Sequence, residues 1–153
     1  MIKTKLLIIL TLYIKTTMIR FQNTNQLKKF NVYKTKKWLK NIILQEGKRT
    51  GDIVYLFCND NYLLKKNIKY LNHNYLTDII TFDYCEKNII SGDILISVER
   101  VEENSKIFNV DFSIELNRVM AHGLLHLLGY KDKKEEEKVK IRKKENFYLK
   151  KFK

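Results

Sequence analysis

His122-Gly123-Leu124-Leu125-His126-Leu127-Leu128-Gly129-Tyr130-Lys131-Asp132 is the run from which the rest of the chain is read. It is strongly apolar, yet it carries two of the chain's three histidines. They are four residues apart, a spacing that stacks two side chains on one face of a helix, so both imidazoles can point at a common centre. Gly129 supplies the left-handed residue that ends a helix and reverses the chain. Asp132 follows, a carboxylate that such a turn can swing back under the histidines. Two imidazoles and a carboxylate on a helix-then-turn frame make a three-ligand metal site with one position left for water.

The residues upstream support a helix here. Asp111 is a good N-cap residue, and Glu115 brings negative charge to the first turns, where it is favoured. Leu116, Val119, Met120, Ala121, Leu124, Leu125, Leu127 and Leu128 cover most of the circumference, which predicts a helix buried nearly all round. One polar stripe interrupts it: Glu115, Arg118, His122 and His126. An unpaired buried polar group costs about 1–3 kcal/mol, so the stripe needs partners, and a metal would serve both histidines at once. The alternative is hydrogen-bonded core histidines. Asp132 has its own alternative, as an N-capping pair with Glu135 for the next helix. Gly123 stands where a zinc protease of the His-Glu-x-x-His type places its catalytic glutamate, which argues against a peptidase.

The chain is 153 residues long, enough for one domain with a real core. It contains no proline, no Gly- or Ser-rich linker and no evident repeat. Its formal charge of +13 comes from 30 basic and 17 acidic residues, a balance that favours RNA, DNA or an anionic membrane as partner. The same Lys-, Asn- and Ile-rich composition also follows from a genome biased to A and T. Cys58 and Cys85 are isolated in apparent strands and read as reduced thiols rather than metal ligands.

Residues 1–17 form an N-terminal extension. Lys3 and Lys5 precede the apolar run Leu6–Ile14, which is too short to span a bilayer and is followed by no small-residue cleavage site. A start assigned too early explains it best, because Met18 opens the first strand, Ile19-Arg20-Phe21; a weak hydrophobic leader is the alternative. The domain is expected over 18–150. A helix is expected over Gln26–Glu46 and a strand over Asp52–Cys58. A second helix is expected over Asn61–Leu71. A strand then places Ile80, Phe82 and Tyr84 on one face, and another runs from Gly92 to Val98. A short charged helix follows over Val101–Phe108. Beyond Asp132 a Lys/Glu-rich helix is expected, mostly solvated and anchored by Val139, Ile141, Phe147, Tyr148 and Leu149. His73 lies in a loop, either on the surface or as a rival to Asp132 for the third ligand position. The order of elements predicts an α+β single domain, with a small mixed β-sheet packed by helices and the metal site on a buried central helix and its following turn.

These residues resemble the YbeY-type endoribonucleases, the rRNA maturation RNases. The family signature is His-Gly-x-Leu-His-x-x-Gly-Tyr-Asp-His, matched by His122 to Asp132. Thr77-Asp78-Ile79-Ile80-Thr81-Phe82 resembles the family's Pro-Thr-Asp-Val-Leu-Ser-Phe, and Gly92-Asp93-Ile94 its Gly-Asp-Ile strand. The resemblance runs from about Met18 nearly to the C-terminus. It implies a cytoplasmic, zinc-binding protein that cuts single-stranded RNA, matures the 3′ end of small-subunit ribosomal RNA and serves ribosome quality control. It implies His122 and His126 as catalytic metal ligands, with Asp132 at the family's third histidine and Lys131 at its preceding acid. A carboxylate third ligand makes the metal a weaker Lewis acid, and two imidazoles with a carboxylate also suit iron. The family's arginine after a tyrosine is here Leu71 after Tyr70, so Arg118 and Lys131 are the candidates for holding RNA phosphate. Tyr75, Tyr84 and Tyr130 are candidates for stacking unpaired bases, against a plain core role. The competing function is a ribosome-bound protein whose zinc is structural.

Overall fold

A computed structural model describes residues 17–152. The proposed extension, apart from Thr17, lies outside the described residues. The elements run β1 (Ile19–Gln22), a 3-10 turn (Thr24–Gln26), α1 (Val32–Gln45), β2 (Arg49–Cys58), α2 (Asp60–Leu71), β3 (Ile79–Asp83), β4 (Ile89–Ser97), α3 (Val98–Ile107), α4 (Phe112–Leu127) and α5 (Glu135–Leu149). The four strands form one mixed sheet in the order β1-β2-β4-β3. β1, β2 and β4 are parallel, and β3 returns antiparallel to β4. This is the α+β architecture expected.

Strand alternation sorts the side chains onto two faces. Ile53, Tyr55 and Phe57 of β2 and Ile90, Ile94 and Ile96 of β4 join α1 and α4 in the main core. Leu95, Ile80 and Cys58 turn the other way, onto Leu63 of α2. Two polar contacts tie the layers together: the Tyr55 hydroxyl donates to the Met120 carbonyl at 3.1 Å, and Trp38 Nε1 to the Tyr148 carbonyl at 2.9 Å. α4 lies against the sheet at Gly123. A Cβ there would come within 2.6 Å of Ile79 Cδ1 and 2.9 Å of Ile94 Cγ2. The glycine that sequence comparison set against the protease glutamate is thus also the residue that lets helix and sheet touch.

Several expected boundaries move. The first long helix begins at Val32 rather than Gln26, where Asn31 accepts from Lys34 N. Lys29 ahead of it has φ 56°, which no helix continues through. β2 starts earlier, at Arg49. β4 ends at Ser97, whose hydroxyl accepts from Arg100 N at 3.2 Å and starts α3 three residues sooner than expected. β3 stops at Asp83, so Tyr84 is exposed rather than sharing a buried face with Ile80. On α5, Val139 and Phe147 are exposed instead of anchoring. The buried stripe is Ile141, Glu145 and Tyr148. No helix of the described residues is long and apolar enough to cross a membrane.

Candidate metal centre

α4 is buried as its sequence predicts, with Leu116, Val119, Met120, Ala121, Leu124, Leu125 and Leu127 inside. Asp111 occupies the N-cap position, but its side chain makes no capping hydrogen bond. At the other end Gly129 has φ 95°. Its N–H donates to the His126 carbonyl and the Tyr130 N–H donates to the Leu125 carbonyl, at 2.9 and 3.0 Å. This pair of bonds closes the helix and folds the chain back on itself. The fold-back brings Asp132 Oδ2 to 3.4 Å from both His122 Nε2 and His126 Nε2.

The histidine tautomers follow from their partners. His122 Nδ1 donates to Glu145 Oε1 at 2.6 Å, and His126 Nδ1 donates to the Tyr130 carbonyl at 2.9 Å. A carboxylate and a carbonyl can only accept, so each Nδ1 carries its ring's proton. In the neutral rings both Nε2 atoms are then lone-pair acceptors, and they face each other 2.9 Å apart. Two facing lone pairs with a carboxylate oxygen beside them repel unless a cation lies among them. The donor set fits one: two imidazole nitrogens and an oxygen, all within 4.8 Å of one another. Bonds of 2.0–2.1 Å at a tetrahedral angle hold ligand atoms roughly 3.3 Å apart, close to these separations. The cluster is open to solvent on one side, with His122 17%, His126 23% and Asp132 41% exposed.

The rest of the polar stripe is satisfied differently. Glu115, 2% exposed, takes a two-point contact from Arg118, with Nη2 at 2.5 Å and Nε at 2.9 Å. Arg118 also lies 3.7 Å from Asp78 and 3.5 Å from Glu145. Burial pushes the Asp78 carboxyl above its ordinary value, against the pull of Arg118. Burial also works against the charge of Glu145, but the hydrogen bond from His122 and the charges of Arg118 and Arg142 outweigh it and hold this carboxyl low. Arg118 therefore sits among three carboxylates, where its charge is already neutralised, and is no free phosphate-binding group. Lys131 is exposed beside Asp132. A cavity of about 330 Å³ next to this turn is lined by Lys131, Lys140, Tyr130 and Glu46, among others.

The capping alternative for Asp132 fails. Lys134 is the N-cap of α5, and Glu137 accepts from the backbone N–H groups of Lys133 and Lys134 at 3.0 and 3.1 Å. His73 is not in the cluster; it is exposed, with Nδ1 3.0 Å from the Tyr75 hydroxyl and its ring stacked on Tyr75. Tyr130 is fixed by donating to Glu46 Oε2 at 2.9 Å, and the exposed Tyr84 donates to Asp93. Leu71 is exposed at the end of α2. Cys58 is buried and Cys85 half-buried; both are free, and burial pushes both thiols up to about 11. The sequence reading missed Glu145 entirely. Its signal was the spacing of Ile141, Glu145 and Tyr148, which is that of one helix face.

The family profile described as endoribonuclease YbeY matches residues 19–153. An endoribonuclease YbeY from Flavobacterium johnsoniae is 57% identical over 109 residues, covering 71% of this chain and 78% of that protein. One from Karelsulcia muelleri is 44% identical over 132 residues, covering 86% and 94%. A solution structure from Thermotoga maritima is similar with a TM-score of 0.63 at 26% identity, over 88% of this chain and 89% of that one.

Proposed function

Because the chain belongs to the endoribonuclease YbeY family, we propose that it is a metal-dependent hydrolase that cuts single-stranded RNA, with zinc held by His122, His126 and Asp132. The observation that carries this reading is the pair of Nε2 atoms facing at 2.9 Å with Asp132 beside them, three donor atoms converging as the ligands of one cation would. The side open to water favours a site that reacts over one that only braces the fold, since structural zinc sites are closed. The ion's chemistry is Lewis acidity, which acidifies water toward neutrality and polarises a phosphate.

The protein's own residues do the rest. The Nδ1 contacts hold both rings so that the Nε2 atoms converge. Asp132 adds a negative ligand, which lowers the charge of the centre relative to three imidazoles. Lys131 and Lys140 line the cavity beside the turn and attract the RNA backbone, with affinity falling as salt rises. Tyr130 presents its ring on the same wall. The physiological role we propose, on the strength of family membership, is maturation of the 3′ end of small-subunit ribosomal RNA and ribosome quality control, in the cytoplasm, with the ribosome as partner.

The experiment is cleavage of single-stranded RNA by purified protein, with and without a chelator, beside His122→Ala. Cleavage that stops on chelation, returns with zinc and is lost in the variant is the expected result. Cleavage that survives in His122→Ala sinks the proposal.

A further inference from the structure

α5 is rich in solvated charge, and Glu145 stands apart from it. Its side chain is only 2% exposed. Burying a carboxylate is costly unless it is paired and hydrogen-bonded. Oε1 takes the proton of His122 Nδ1 at 2.6 Å, the length of a charge-assisted bond. Oε2 lies 3.0 Å from Arg142 Nη1 and 3.5 Å from Arg118 Nη1, within ion-pair range but without hydrogen-bond alignment. Among the described residues, the one well-formed hydrogen bond of this buried carboxylate is therefore to the histidine.

The two imidazoles are held unequally. His126 leans on a neutral carbonyl, and His122 on an anion. A carboxylate behind an imidazole fixes the tautomer, fixes the ring's rotation and makes the far nitrogen more basic. Glu145 reaches His122 from a different helix, across the contact of α5 with α4. We propose that Glu145 is the positioning residue of the metal centre: it locks His122 with its Nε2 lone pair aimed at the ion, and makes His122 a stronger donor than His126. The inference rests on the metal reading above and assigns a role to a residue outside the ligand set.

The test is a zinc titration of the metal-free full-length protein against a competing chelator, with the visible absorption of the cobalt-loaded protein recorded in parallel. Wild type is compared with E145Q, E145A and R142Q. The amide of E145Q keeps the size and can still accept the Nδ1 proton, but it lacks the charge. Expected are zinc affinities weaker by about tenfold in E145Q and by up to about a hundredfold in E145A, the range known for such supporting groups. The cobalt spectrum shifts in E145A and is largely restored in E145Q. R142Q removes a charge beside Glu145 but leaves the Nδ1 bond, so its affinity stays at the wild-type value. Should E145A fail to fold, E145Q against R142Q decides alone. If wild type binds zinc and E145Q binds it equally, the positioning role is wrong and the metal reading stands. If R142Q strengthens binding by as much as E145Q weakens it, the effect is general charge and the positioning role is again wrong. If wild type takes up no ion, both fall.

Discussion

The two halves of α4 carry polar residues on one stripe and resolve them in opposite ways. In the first half Glu115 and Arg118 neutralise each other across one helical turn, and Asp78 and Glu145 close the network around them. In the second half His122 and His126 have their outer nitrogens satisfied and their inner nitrogens aimed at each other. One half is complete within the protein; the other converges two nitrogens and the Asp132 carboxylate on a point where a cation could be held. Stripe spacing alone does not distinguish the two. What distinguishes them is where each lone pair and each proton goes.

The largest expected effect comes from breaking the second half. His126→Ala removes one of the converging nitrogens, so RNA cleavage falls to the level of the chelated wild type. The metal-free variant keeps a melting temperature close to that of metal-free wild type, because the lost bond to the Tyr130 carbonyl is a single partly exposed contact. An apo variant that unfolds instead would make this half structural and erase the contrast.

Breaking the first half should act on stability. Arg118→Met strands Glu115, whose side chain is 2% exposed, as an unpaired buried charge. Removing one partner of such a pair costs about 3–5 kcal/mol, readable from urea unfolding. A loss under about 1 kcal/mol would mean that water or Asp78 rearranges to serve Glu115. Gly123→Ala probes the seam between the halves. Its Cβ would meet Ile79 Cδ1 at 2.6 Å and Ile94 Cγ2 at 2.9 Å. The Ile79 tip can rotate away, but Ile94 is fully buried in the sheet. Overpacking of about 1–3 kcal/mol offsets the ~1 kcal/mol that alanine gains over glycine in a helix, so the variant is less stable by up to about 2 kcal/mol.

The turn that completes the second half has a pH-dependent support. Glu46 accepts from Tyr130, Lys144 and Tyr148. Burial opposes its charge, but these hydrogen bonds and the Lys144 charge hold its carboxyl below the ordinary 4.5. A depressed folded value means the stabilisation is full above 4.5 and is lost as pH falls through the folded value. Wild-type stability should therefore decline as pH falls below 4.5 more steeply than that of Glu46→Gln. Parallel slopes would remove Glu46 as the support of Tyr130.

The fold and the convergence of His122, His126 and Asp132 were legible in the sequence because both depend on local spacing. The i, i+4 histidines, the glycine stop and the apolar circumference of α4 all act within a few residues of one another. What was illegible depends on distant partners. Glu145 lies 23 residues beyond His122, on a helix whose composition reads as solvated, and only the docking of α5 brings the two together. Arg118 looked available for phosphate because its partners Asp78 and Glu145 come from other elements. Asp132 looked equally fit to cap α5, and only the backbone-to-Glu137 bonds show that the cap is filled by another residue.

The smallest effect is expected at the remaining histidine. His73 has the same chemistry as His122 and His126, but its ring stacks on Tyr75 with centroids 5.1 Å apart, and its Nδ1 is engaged by the Tyr75 hydroxyl. Both residues are exposed, so the contact adds little to stability and leaves no inward-facing lone pair in need of a cation. His73→Ala should therefore match wild type in zinc affinity, melting temperature and RNA cleavage. A tenfold loss of zinc affinity would show that the loop closes over the centre when the ion binds. His73 would then rank with the pair on α4, and the division between satisfied and unsatisfied nitrogens would no longer mark the site.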